Sequence, residues 1–461
     1  MTLPPDGAKL AREAEAFLSA NPDVSHISMI WTDLCGVMRG KLLTREELVT
    51  AYKNGRYFPG SMMSIDVTGR DVEETGLVWE DGDGDRLCWA VPGTLCLVPW
   101  LPDAQAQYIS TIHELDGAPS IAEPRQTLAR VIDRFRKETG LTPVAAIELE
   151  FYLMDRDTAL AGRPQPPRAL TNGAHTNQIQ CYLLQDLDDF GPFFRDLYSA
   201  AKVQGLPAEA LISEYAPGQM EIGLKHRADA LRACDEAIMF KRLVKATAEK
   251  HGLIASFMAK PYRDQAGCGM HVHVSLADGE GNNVFASADP VSHPLLRQCV
   301  AGMKVTMGEA LAVFAPNANS YRRFRKNMYA PVKPNWGVNN RTVSIRIPAA
   351  KGAATHIEHR ISGADANPYL ALAAVLGGML HGINGKLDPG PPVKGNGYAQ
   401  PADPLPTHWL AAIEALRGSS AMREYLGSRF VDVFTAIKEA EADRFHSEPQ
   451  PLDFDYYLRT M

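Results

Sequence analysis

Residues 145–154 read AAIELEFYLM, and this stretch decides the fold. Side chains alternate faces along a strand, so Glu148 and Glu150 share one face while Ile147, Leu149 and Phe151 pack on the other. Two adjacent carboxylates repel, and they need either a cation or open solvent. One Glu-x-Glu strand is ordinary on the solvated face of an antiparallel sheet. Its weight here comes from recurrence.

Four further segments repeat the arrangement. In GMHVHVSL (269–276), His271 and His273 oppose Met270, Val272 and Val274. In VSIRIP (343–348), Ser344 and Arg346 oppose Val343, Ile345 and Ile347. In THIEHRIS (355–362), His356, Glu358 and Arg360 oppose Ile357 and Ile361, with His359 the exception. In EYAPGQMEIGL (214–224), a Pro-Gly turn brings Glu214 and Glu221 towards each other. Five carboxylates with one or two imidazoles suit hard divalent ions, Mg²⁺ or Mn²⁺, whereas zinc more often recruits thiolates or several histidines. The arginines among them handle anions. With no GxxxxGK[ST] loop and no Ser/His/Asp signature in the chain, nucleotide phosphates gripped mainly by cations are the expected cargo.

Around these strands the chain reads as α+β. Before them, 24–43 forms a hairpin turning near Cys35-Gly36, Thr44 and Glu47 make a capping box, and 65–100 alternates short strands with Gly, Pro and acidic loops. PRQTLARVIDRFRKETG (124–140) opens a new amphipathic helix with Pro near its start. A boundary near 120 follows, separating a small module at 1–120 from a larger one at 121–461. The stretch 369–380 reads as a buried Ala/Gly-rich helix, too short to span a membrane, and 387–397 as a surface loop.

At 461 residues and 45% hydrophobic, the chain exceeds one usual compact domain. A net charge of −7 offers no basic stripe, so neither nucleic acid nor a membrane is the expected partner. Seven singly scattered cysteines exclude a zinc ribbon or a secreted disulfide framework. The opening MTLPPDGAKLAREAEAFL lacks a basic start and an unbroken apolar run, so it is not read as a signal peptide, and the expected location is the cytoplasm.

IELEFYL, EYAPGQMEIGL, GCGMHVHVSL, NSYRRF, NNRTVSIRIP and IEHRISGADANPYLALAAVL occur in the order seen in class I glutamine synthetases, and the resemblance spans essentially the whole chain. It implies a small N-terminal β-grasp domain followed by a glutamine synthetase-type catalytic domain, with a curved antiparallel sheet and surrounding helices. It implies ATP as co-substrate and two to three Mg²⁺ or Mn²⁺ ions. Glu150, Glu214 and Glu221 then hold one ion, and Glu148, His271 and Glu358 a second between the ATP phosphates. Arg323 and Arg360 resemble the glutamate clamps, with Gly267 contributing backbone. Arg341 and Arg346 resemble phosphate ligands, Arg341 stabilising the transferring phosphoryl group, while His273 and Ser275 resemble nucleotide contacts. The implied reaction has glutamate attack the γ-phosphate of ATP, after which an amine displaces phosphate from γ-glutamyl phosphate. The implied assembly is a homo-oligomer, usually a dodecamer of two hexameric rings, with active sites between neighbouring subunits.

The chain departs from the ammonium-using pattern at two places. Where those members carry an Asp in an FDGSS-like loop and a Glu in a GYEAP-like loop, this sequence has Phe58-Pro59-Gly60-Ser61 and Met328-Tyr329-Ala330-Pro331. Ammonium held away from water needs compensating charge, so loss of both anions points away from ammonia. A phenol at 329 instead suits an alkylammonium through a cation–π contact. This resembles the branch that makes γ-glutamylputrescine, γ-glutamylpolyamines and related γ-glutamylamides, as does the WEDGDGD run. An acidic stretch with Asp66, Asp71, Glu73, Glu74 and Glu80 is then expected to attract a polycation. Ala266 replaces a frequent Asn, His356 replaces a phosphate-binding Arg, and the adenylylation loop has no counterpart. Two other readings are a glutamine synthetase using ammonia and a catalytically silent relative; ammonia turnover would mark the first, and failure to bind Mg²⁺-ATP the second.

Overall fold

Strands with polar faces could not form a sheet unless their other faces met a core, and the structure supplies one. It is a computed structural model that describes residues 6–461 apart from 81, 176, 288 and 402. The first five residues and Asp81 of the acidic run therefore lie outside the described residues.

The first sheet has the order β2-β1-β6-β4-β3, with β5 also paired to β6. Its strands are β1 (His26–Thr32), β2 (Met38–Thr44), β3 (Arg56–Pro59), β4 (Asp85–Ala90), β5 (Cys96–Leu97) and β6 (Gln105–His113). The β1–β2 hairpin is the one the sequence predicts, Gly36 taking φ 79° at its turn, where an L side chain would be strained. β1 and β6 run parallel and the remaining pairs antiparallel. The helix Arg45–Asn54 follows β2 directly, capped by Thr44 and Glu47 as expected.

The second sheet carries the decisive strands in the order β12-β13-β14-β11-β7-β9-β8, with β10 also on β7. They are β7 (Thr142–Asp155), β8 (Ala208–Ser213), β9 (Gln219–Leu224), β10 (Leu253–Ser256), β11 (Met270–Ala277), β12 (Trp336–Val338), β13 (Ile345–Ile347) and β14 (Ile357–His359). Every pair is antiparallel except β12–β13. Ile147, Leu149, Phe151, Val272, Ile345 and Ile357 are buried on the apolar face. His359 departs from the alternation expected of a polar residue because it turns to that face and packs on the Phe314 ring at 4.5 Å. Burial pushes its pKa down to about 3, so it is a neutral core group.

Behind the sheet, the helix Pro368–Asn384 is buried around nearly its whole circumference, as its Ala/Gly content predicts. It crosses the helix Pro294–Thr306 so closely that a Cβ on Gly382 would overlap the Gln298 carbonyl oxygen and the Gly302 backbone. The helix Pro124–Thr139, capped by Glu123, packs against the same element. The helix Ser428–Ser447 ties the first sheet down. Its buried Lys438 donates to Glu441 (2.8 Å) and to the Cys35 thiol (3.3 Å), and Glu441 accepts from the Val67 backbone (2.7 Å).

One expectation is overturned here. Asp66 cannot attract a polycation, because it is fully buried and its carboxylate accepts from Thr68, the Arg70 amide and Arg444. Although burial opposes ionisation, these donors hold it down to about 2. Asp71, Glu73, Glu74 and Glu80 are exposed, as a solvated loop requires. None of the described helices is long and apolar enough to cross a membrane.

Candidate active site

Register assembles the site. β7 lies between β11 and β9, placing Glu148 opposite His271, and Glu150 opposite Glu221. β14 lies on the other side of β11, placing Glu358 opposite His273, and β13 adds Arg346 opposite Glu358. Beyond the Gly218 turn, Glu214 donates its backbone N–H to Gln219 O (2.8 Å), which returns its side chain to the face of Glu221. Residues more than 200 positions apart thus share one polar surface.

Within it, His271 Nδ1 hydrogen-bonds Glu148, His271 Nε2 lies 3.8 Å from Glu150, and His273 Nε2 lies 3.6 Å from Glu148. Glu358 is bracketed by guanidiniums, accepting from Arg346 (2.8 Å) and from Arg360. Two sets of ligand atoms lie close enough to share an ion: Glu148, His273 and Glu358; and Glu148, Glu221 and His271. This grouping differs from the sequence-based partition, since Glu221 reaches across to Glu148 and His271, and His273 enters a ligand set.

Charge crowding shows in the titrations. Burial, then the neighbouring Glu150, raises Glu214 to about 7. Burial and three neighbouring carboxylates also push Glu221 well up. Burial works against the ionised form of Glu148 too, but hydrogen bonds from His271 and His273 hold it well below the usual range. Glu358 is pulled down to about 2 by Arg360, the imidazoles and Arg346, which together outweigh its burial. The environment therefore separates carboxylates that stay ionised from carboxylates that hold a proton until a cation replaces it.

Beside this surface opens a cavity of about 380 Å³. Glu150, Glu214, Glu221 and His271 form part of its lining, with Arg323, Arg341 and Arg360 on its walls. Gly267 and Ala266 border it too; a Cβ at Gly267 would meet Ala259 O at 2.6 Å and Arg323 Cγ at 2.8 Å, so only glycine lets this backbone approach. Arg323 is anchored by donating to Ile361 O (2.7 Å) and Arg360 O (3.3 Å). Arg341 is exposed and free of hydrogen bonds to described residues, available to a ligand. Tyr329 lines the cavity and is 60% exposed.

Other expected residues lie elsewhere. Ser275 follows His273 along the same face, opposite Val144 and outside the cavity lining. His356 forms a ring cluster with His273 (5.2 Å) and His226 (5.3 Å). Pro59, in β3 of the first sheet, does not line this chain's own cavity. Sequence reasoning missed His226, Gln219, Tyr182 and Tyr215. Gln219, which donates to Glu150 (3.3 Å) and Gly267 O (3.1 Å), was findable, sharing the face of Glu221 in β9. His226 and Tyr182 sit in loops that offer no periodicity.

A largely antiparallel sheet presenting carboxylates, imidazoles and guanidiniums beside such a cavity defines an α+β enzyme class built for metal-assisted chemistry on anionic substrates. The chain belongs to the glutamine synthetase family, its residues 121–457 matching the glutamine synthetase catalytic domain. It is 40% identical over 453 residues to the γ-glutamylputrescine synthetase PuuA of Escherichia coli (strain K12), covering 98% of this chain and 96% of that one. It is 34% identical to a glutamate–isopropylamine ligase of Pseudomonas sp, over 92% and 93% of the two chains. The solved GmaS/ADP complex superimposes with a TM-score of 0.83 at 27% identity, over 97% of this chain and 99% of that one.

Proposed function

We infer that this protein is an ATP-dependent ligase that joins the γ-carboxyl group of glutamate to an organic amine. The carrying observation is the cavity lining: Tyr329, and no carboxylate, stands at the position where an ammonium-using member carries its Glu, in a cavity that Glu150, Glu214 and Glu221 also line. Relatives that share nearly the whole chain are named for putrescine and isopropylamine as acceptors, which supports the same reading.

Mg²⁺ or Mn²⁺, two to three ions, fits the donor set, because hard oxygen ligands predominate and the raised Glu214 and Glu221 are carboxylates crowded without a counter-ion. Glu150, Glu214 and Glu221 would hold one ion, and Glu148, His271 and Glu358 another, with Glu221 near both sets. When bound, these ions supply charge neutralisation and Lewis acidity at the ATP phosphates. Arg323, Arg360 and the Gly267 backbone position glutamate so that its γ-carboxylate oxygen attacks the γ-phosphorus, and ADP leaves. Arg341 neutralises charge on the transferring phosphoryl group. The amine nitrogen then attacks the acyl carbon of γ-glutamyl phosphate, and inorganic phosphate departs. Arg346, His273, Ser275 and His356 serve the nucleotide end of the sheet.

The same proposal divides the chain into an N-terminal domain at 1–120, of β-grasp type, and a catalytic domain at 121–461, assembled in the cytoplasm as a dodecamer of two hexameric rings. Pro59 and the first sheet then roof the neighbouring subunit's cavity; the exposed Leu42 and Tyr57 on that sheet are apolar groups such a contact would cover. Phosphate release with Mg²⁺-ATP and glutamate, recorded against ammonium, putrescine, spermidine, ethanolamine and methylamine with products identified by mass, tests the reading. Turnover with an organic amine at least about 10-fold above ammonium is expected, a gap of about 1.4 kcal/mol. Preference for ammonium would overturn it.

A further inference from the structure

Three tyrosines stand around one opening. Tyr182, Tyr215 and Tyr329 all line the cavity that holds Glu214 and Glu221, and they are 61%, 43% and 60% exposed. Their hydroxyls have no hydrogen-bond partner among the described residues, and none of the three rings is stacked on another described ring.

Backbone geometry argues against accident. Tyr182 and Tyr329 take φ of 62° and 53°, and Asn327, beside Tyr329, takes 63°. Bulky L residues rarely adopt this region, and such strain persists only where the surroundings over-determine it. Here they do. The Tyr182 amide donates to Ser213 O (3.0 Å), tying the loop to the end of β8. The 327–332 loop is pinned by Tyr398 OH donating to Ala330 O (3.2 Å) and by Leu405 N donating to Val332 O (3.1 Å). The Tyr215 amide donates to the carboxylate of the adjacent Glu214 (3.2 Å).

Resting on the ligase reading above, we propose that Tyr182, Tyr215 and Tyr329 form an aromatic collar that determines acceptor specificity, gripping the carbon chain of a primary alkylamine whose nitrogen enters the cavity. The collar supplies what its parts can do. Ring faces attract an ammonium as it enters and then bury its methylenes. The ligand class is an unbranched alkylamine or diamine of three or more carbons, for which each added methylene gains apolar contact. Ammonium, with no carbon, gains no apolar contact from the collar.

The test is kcat/KM for methylamine, ethylamine, n-propylamine and n-butylamine in the full-length enzyme, with Mg²⁺-ATP and glutamate saturating. The wild-type value is expected to climb about threefold per methylene. Tyr329→Ala and Tyr215→Ala should flatten that climb, losing about 10-fold on n-butylamine and less than about threefold on methylamine. Tyr329→Phe should keep the wild-type slope, because the ring face and not the hydroxyl makes the contact, and KM for glutamate and for ATP should not move in any variant. Equal losses for every amine, or a Phe variant as impaired as Ala, would overturn the collar while leaving the ligase reading intact. A wild-type enzyme that turns over ammonium alone would instead refute the ligase reading beneath it.

Discussion

Adding Mg²⁺ to the metal-free protein should expel protons, and the number follows from the site. Burial and neighbouring carboxylates raise Glu214 to about 7 and push Glu221 well above that. At pH 7 Glu221 therefore carries a proton and Glu214 about half of one. A divalent cation needs both as anions, so binding should release about 1.5 protons at pH 7, approaching two at pH 6 and one at pH 8.5. Calorimetric titration with MgCl₂, without nucleotide, in two buffers of different ionisation enthalpy reads this number directly, and Glu214→Gln should lower it by about half a proton at pH 7. The sign carries into stability. A carboxyl group whose folded pKa is raised binds more protons folded than unfolded, so its contribution falls as pH rises from 4.5 to about 7. A shift of that size corresponds to about 3 kcal/mol at full burial, and to about 1–2 kcal/mol once the partial solvent contact of Glu214 is allowed for. The melting gain from Mg²⁺ over EDTA should accordingly grow between pH 5 and 8. Identical heats in both buffers at pH 7 would refute the reasoning, because they would mean that the carboxylates were already ionised.

Two further outcomes test how the sheets are held. Lys438→Met leaves the buried Glu441 without its cation and should destabilise by about 3–5 kcal/mol in urea unfolding, whereas Lys438→Met with Glu441→Gln should recover most of the loss; equal stability of the single and double variants would refute the pairing. Gly382→Ala forces a methyl group into the Gln298 carbonyl and the Gly302 backbone, so a melting temperature lowered by several degrees, or loss of soluble protein, is expected. A wild-type melt would show that the two helices do not cross as described.

Much of the site was legible because period-two alternation is a local property. Glu148 with Glu150, and His271 with His273, were assigned to shared faces from sequence, and the strands place them so. The β1–β2 hairpin, the Thr44–Glu47 cap and the buried helix at 369–380 were read the same way, from turn chemistry, capping residues and composition. His359 broke the alternation and proved to be a core residue, because β14 ends there and its ring found Phe314.

Distance in sequence is where local reading stops. Asp66 looked like one more acid in a solvated run, yet Arg444, 378 positions later, claims it. Which carboxylates share an ion depends on strand order and register: Glu221 meets Glu148 and His271 because β9, β7 and β11 are neighbours, and His273 meets Glu358 because β14 pairs with β11. Tyr182, Tyr215 and Tyr329 converge from separate loops whose positions are set by the sheet beneath them. The sequence alone determined which residue types line each face and hence the class of chemistry. The tertiary structure decided which of those groups meet, since pairing of distant strands is specified by the packing of the whole core and not by any segment within it.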